Sequence, residues 1–124
     1  MMCEPALALI AARPGPLREG LRCLVNALPR IRVVGAAGDA VALLKMISER
    51  SPDLVLLDAA LLGDQDGSLV REVRKRGPGA KFVVLTETVG QRDAQAGAAD
   101  AVLLKGTPAA KLVEAIEGVL GGQG

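Results

Sequence analysis

Short apolar runs, hydrophobic on both faces, recur along this chain, and each ends at or beside a polar side chain. Ala8-Leu9-Ile10-Ala11 leads to Arg13, Leu54-Val55-Leu56-Leu57 to Asp58, Phe82-Val83-Val84-Leu85 to Thr86, and Ala101-Val102-Leu103-Leu104 to Lys105. Runs of this length, rich in Val, Leu and Ile, predict buried parallel strands. A parallel sheet gathers whatever stands at its strand C-termini into one crevice, the place where open α/β sheets bind ligands. A carboxylate, a hydroxyl and two cations are therefore expected to converge in space.

Helical periodicity fills the intervals. A first strand over 6–12 gives way to the breaker Pro14-Gly15-Pro16, after which Leu17, Leu21, Leu24, Val25 and Leu28 recur at helical spacing until Pro29. A second strand follows over 31–36. Asp39 suits the N-cap of a helix whose stripe is Ala40, Leu43, Leu44 and Ile47, closed by Pro52. The third strand spans 53–58, then a polar loop (63–67) and a helix carrying Leu69, Val70 and Val73. Gly77-Pro78-Gly79 turns the chain into a fourth strand over 81–86. The stretch 87–99 is the weakest helix, with few large apolar residues and two glycines. After a fifth strand over 101–104, Thr107 and Pro108 suit the N-cap and first position of a last helix. Its buried stripe is Leu112, Val113, Ile116, Val119 and Leu120. Five βα units predict a doubly wound α/β sheet with helices on both faces. Residues 1–120 form the expected domain, and 121–124 a flexible tail or the start of a linker.

Composition narrows the chemistry. At 124 residues the chain is one domain, half hydrophobic, with Phe82 its single aromatic side chain, so the core is built of Leu, Val and Ala. A formal charge of +1 leaves no electrostatic footprint for nucleic acid or an anionic membrane. No histidine is present, which excludes His-based triads, His metal sites and a phosphohistidine step within this chain. Cys3 and Cys23 have neither metal-site nor redox spacing and are expected to be free thiols. The apolar stretch 6–12 is too short to span a bilayer, Glu4 stands where a signal peptide needs a cation, and no later run is longer. A soluble, cytoplasmic protein is expected, with no catalytic constellation to make it an enzyme.

Several segments carry a resemblance to a known family: Pro16-Leu17-Arg18-Glu19-Gly20-Leu21-Arg22, Arg32-Val33-Val34-Gly35, the stretch from Ser51 to Asp58, and Ala101-Val102-Leu103-Leu104-Lys105. The chain resembles the CheY-like receiver domains of two-component response regulators, closest to the branch that usually carries a C-terminal helix-turn-helix domain. The resemblance implies a flavodoxin-like receiver fold with strand order 2-1-3-4-5. It also implies that Asp58 is the phosphoacceptor position, and that Thr86 and Lys105 are the switch and phosphate-contact positions.

Three features depart from that pattern. The family places two acidic residues at the end of the first strand, where they hold Mg²⁺ with the phosphoacceptor; those positions here are Ala12 and Arg13. The aromatic or His switch three residues before the lysine is Val102. The span from Thr86 to Lys105 is about three residues shorter than the family habit, nearly a helical turn. Mg²⁺ relies on one or two carboxylates plus phosphate oxygens, so it is expected to bind weakly and no cofactor is assigned. Asp64, Asp66 and Glu87 in flanking loops are the candidate replacements. Alternatively Arg13 pairs with Asp58 in place of the metal. At about 4 Å and an effective dielectric near 20 that attraction is about 4 kcal/mol before desolvation.

The leading expectation is an atypical receiver acting as a signalling and protein-interaction module, with phosphorylation at Asp58 impaired or absent. A conventional receiver phosphorylated at Asp58 by a histidine kinase is the alternative, and a small anionic-ligand module, with Arg13 and Lys105 flanking the crevice, is a further one. Expected partners are a histidine kinase or an output protein. The resemblance puts their contact, or a homodimer, on the face of the fourth helix, fifth strand and last helix, where Lys111, Glu114 and Glu117 lie. Neither nucleic acid nor membrane is expected to bind this chain.

Overall fold

Strands and helices alternate throughout the computed structural model, which describes residues 4–63 and 67–121. The elements are β1 (Ala6–Ala11), α1 (Pro16–Asn26), β2 (Ile31–Ala37), α2 (Ala40–Arg50), β3 (Leu54–Asp58), α3 (Ala59–Leu62), α4 (Ser68–Arg76), β4 (Lys81–Thr86), α5 (Val89–Gln95), β5 (Ala101–Leu104) and α6 (Ala109–Val119). All strand pairs are parallel, in the order β2-β1-β3-β4-β5. This is the flavodoxin-like order expected above.

Period-two alternation sends successive strand residues to opposite faces, so each strand feeds two cores. Leu9, Val55, Leu57, Phe82 and Val84 pack with Leu43, Ile47, Val70 and Val73 of α2 and α4. Ala8, Ile10, Leu54, Leu56, Val83 and Leu85 pack with Leu21, Val25, Leu112 and Ile116 of α1 and α6. Covering both faces forces the runs to be apolar throughout, and it fixes the register that brings the strand C-termini to one edge.

Asp39 caps α2 as its sequence predicts, its carboxylate accepting from the Ala42 amide at 2.8 Å. Other boundaries differ. The last helix opens at Ala109, not Pro108; the Pro108 carbonyl accepts from Lys111 and Leu112, while the Thr107 amide is drawn back to Leu104. Leu69 is 44% exposed, because the turn entering α4 through Gly67 (φ 89°) points only Val70 and Val73 inward. The single-turn helix α3 was not expected. Asp58 caps it and Gly63 ends it in the left-handed region, a pairing of cap and glycine that is visible in the sequence. Within the weak stretch 87–99, α5 is secured by a capping box between Thr88 and Gln91 and by the buried Gln95 and Ala98.

Asp64, Asp66, Cys3 and the expected tail beyond residue 121 lie outside the described residues. Cys23 is an exposed free thiol. Among the described residues no helix is long and apolar enough to cross a membrane.

Candidate functional site

Asp58 ends β3 and at once caps α3, its Oδ1 accepting from the Ala60 amide at 3.0 Å. Lys105 lies one step beyond β5, where its amide donates to the Thr86 carbonyl at 2.8 Å. From there its stem reaches back across β4, so that Nζ stands 3.0 Å from Asp58 Oδ1 and 3.1 Å from Glu87 Oε1. One ammonium thus holds two carboxylates. The Asp58 side chain is 13% exposed and that of Lys105 25%, whereas Glu87 is 66% exposed. The inner pair is therefore weakly screened, while the outer one feels water and salt.

Burial, the largest single influence on Lys105, pulls its pKa down. Hydrogen bonds to Asp58 and Glu87, with the attraction of both carboxylates, outweigh it and leave the ammonium above its usual 10.5. A raised lysine value means the folded state binds the proton more tightly than the unfolded one. The associated stability is fully present below 10.5 and is lost as pH rises through the higher native value. Urea midpoints on either side of 10.5 are expected to show this alkaline loss in the native chain and a smaller one in Lys105→Met.

Thr86 is buried, and its hydroxyl donates to the Leu103 carbonyl at 3.3 Å, turned toward β5 and away from Asp58. Val102 is half-buried against the α2/α4 side of the core. The end of β1 is occupied differently. Ala12 is 1% exposed; its amide donates to Ala37 and its carbonyl accepts from Arg18 Nε at 2.9 Å. These two bonds pin the bend after β1, and Arg13 turns outward.

The Arg13–Asp58 pair considered from the sequence is not formed. Arg13 is exposed and its side chain has no ion pair or hydrogen bond among the described residues. Lys105, whose stem spans β4, takes Asp58 instead, while Arg13 keeps its hydration. Arg18 was not expected at the site, although a cation in the first turn of the helix that follows a strand was the available signal. Sequence gave no sign of a second cluster, in which Asp100 accepts from the Phe82 amide (2.8 Å) and from Arg74 (3.2 Å). Arg74 also donates to Ala98, which fastens α4 to the β4–β5 edge.

Among the described residues, the side chains at the strand ends do not make up a site for Mg²⁺. The ion needs near-octahedral oxygen ligation, and among the described residues the strand ends offer the carboxylates of Asp58 and Glu87, both already held by Lys105 Nζ, with an alanine and the Arg18 guanidinium where β1 ends. Among the described residues no three His, Cys, Asp or Glu side chains gather where they could hold a metal ion. Glu87, a candidate replacement ligand, reaches the ammonium.

Comparison with known proteins agrees with this architecture. The response regulator receiver domain matches over residues 15–117. The chain is 28% identical over 123 residues to the nitrate/nitrite response regulator NarL of Escherichia coli K12, covering 97% of this chain and 57% of that protein. It is 32% identical over 111 residues to the response regulator GacA of Pseudomonas aeruginosa, covering 86% and 51%. The chain thus spans about half the length of the curated relatives it matches. Among solved structures, a LuxR-family two-component response regulator from Aurantimonas sp. SI85-9A1 superposes with a TM-score of 0.78 at 28% identity, covering 96% of this chain and 87% of that one.

Proposed function

Because this chain belongs to the response regulator receiver domains, we propose that it is an atypical member working through protein contacts, with metal-dependent phosphorylation at Asp58 impaired or absent. The observation that supports this reading is the end of β1, where a buried alanine and an outward arginine stand at the positions that the resemblance assigns to the family's two acidic residues. Phosphoryl transfer to a carboxylate brings oxyanions together, and a bound dication normally offsets their repulsion. Here the positive charge near Asp58 comes from Lys105, a compact monocation already shared with Glu87. That sharing also counts against the crevice as a site for small anions, because its best donor is engaged twice.

The partners we infer are a histidine kinase or an output protein, meeting the face of α5, β5 and α6. β5 is a half-exposed edge strand, and Lys111, Glu114 and Glu117 are exposed on α6. A homodimer through the same face is the corresponding self-contact. Transcription control is named for relatives such as the transcriptional regulatory protein LiaR of Bacillus subtilis, of whose length the match covers 52%.

A conventional phosphoacceptor is the second reading, favoured by one observation: Asp58, Thr86 and Lys105 all stand at adjacent strand ends, with Lys105 Nζ 3.0 Å from Asp58. Acetyl phosphate with Mg²⁺, followed by intact mass, separates the two. No added phosphoryl group is expected; stoichiometric labelling that disappears in Asp58→Asn would overturn the proposal and establish the second reading.

A further inference from the structure

Glu87 belongs to two structures at once. Its carboxylate holds Lys105 Nζ at 3.1 Å, and its own amide donates to Gln91 Oε1 at 3.1 Å. Gln91 Oε1 also accepts from the Thr88 amide at 3.3 Å, and the Gln91 amide donates to Thr88 Oγ1 at 3.1 Å, completing the capping box of α5. A continuous path of polar contacts therefore runs from Asp58 through Lys105 and Glu87 into the first turn of α5. The path through Thr86 is closed off by comparison. Its buried hydroxyl is committed to Leu103, and position 102 carries a valine with no polar tip to follow it.

We propose that Glu87 relays the charge state of Asp58 to the N-terminal cap of α5, through the ammonium the two carboxylates share. The proposal goes beyond the proposed function: it holds for any event that changes the charge or contacts of Asp58, a docking partner included, and needs no phosphorylation there. With Asp58 charged, Lys105 divides its donors between two anions. With Asp58 neutralised or engaged elsewhere, the ammonium falls wholly to Glu87, which holds the start of α5 more firmly. Contacting charged groups of this kind couple measurably, whereas residues without a shared partner do not.

The test is amide hydrogen exchange of the full chain at Glu87, Thr88, Gln91 and Arg92, in a cycle of Asp58→Asn, Glu87→Gln and the double variant. Both substitutions keep side-chain shape, and the β1 and β3 amides report whether the fold is intact. Asp58→Asn is expected to slow exchange at the cap about twofold or more, the low end of coupling between residues in contact. In the Glu87→Gln background the same substitution is expected to leave those amides unchanged. An equal response with and without Glu87, or no response at the cap, would overturn the relay. The cycle needs no phosphorylation. Labelling of Asp58 by acetyl phosphate would remove the impaired-acceptor reading and leave the relay to stand or fall on its own measurement.

Discussion

The Ala12→Asp/Arg13→Asp variant is expected to gain saturable Mg²⁺ binding and to take a phosphoryl group from acetyl phosphate at least on the order of tenfold faster than the unsubstituted chain. Tenfold corresponds to about 1.4 kcal/mol. Two unit charges about 4 Å apart interact by about 4 kcal/mol at an effective dielectric near 20, so one added carboxylate brought beside a dication exceeds that threshold. The two positions are not equivalent. Arg13 is exposed, so an aspartate there costs little and the single Arg13→Asp variant should fold as the native chain does. Ala12 is buried, and a carboxylate in its place carries a desolvation cost. Arg18, whose Nε already lies 2.9 Å from the Ala12 carbonyl, is placed to offset part of it. The expected ranking is therefore double variant first, Arg13→Asp next and native chain last, measured by Mg²⁺ titration and by intact mass after acetyl phosphate. Equal labelling in all three would mean that the end of β1 does not limit the chemistry.

Phe82→Ala is expected to be the most damaging truncation of the core, lowering stability by about 3–5 kcal/mol. Phe82 is fully buried and is the single aromatic residue of the chain, surrounded by Leu, Val, Ile and Ala side chains of the α2/α4 face. Strands on both sides hold the sheet in place, so the space left behind cannot collapse. Against a total of about 5–15 kcal/mol for an ordinary domain, this is a large fraction. Phe82→Leu keeps a branched apolar side chain and is expected to lose about 1–2 kcal/mol. The Phe82 amide bonded to Asp100 is backbone and survives both changes. Urea unfolding followed by circular dichroism measures the difference, and similar midpoints for Phe82→Ala and the native chain would show that the α2/α4 side tolerates a void.

The strands were legible because both faces of each are buried: the runs ending at Asp58, Thr86 and Lys105 had no other plausible reading than parallel strands, and parallel order alone brings their ends together. Asp39 was legible because capping is local. What the sequence left open depends on directions that side chains take after an element ends. Whether Arg13 turned toward Asp58 or away was settled by two bonds to Ala12, one from Arg18 and one to Ala37, neither of which a strand pattern contains. The exposure of Leu69 followed from the positive φ of Gly67, which set the phase of α4. Glu87 stood out only as a loop carboxylate. Its contact with Lys105 required the register of β4 against β5, which places residue 105 just beyond residue 86.

The most direct test of the central claim, that this receiver's site is not built for a metal, is a Mg²⁺ titration of the native chain followed at the amides of Asp58, Ala60 and Lys105. No saturable shift is expected at these three positions. A saturable shift that is lost in Asp58→Asn would contradict the claim and return the site to metal-dependent phosphoryl acceptance.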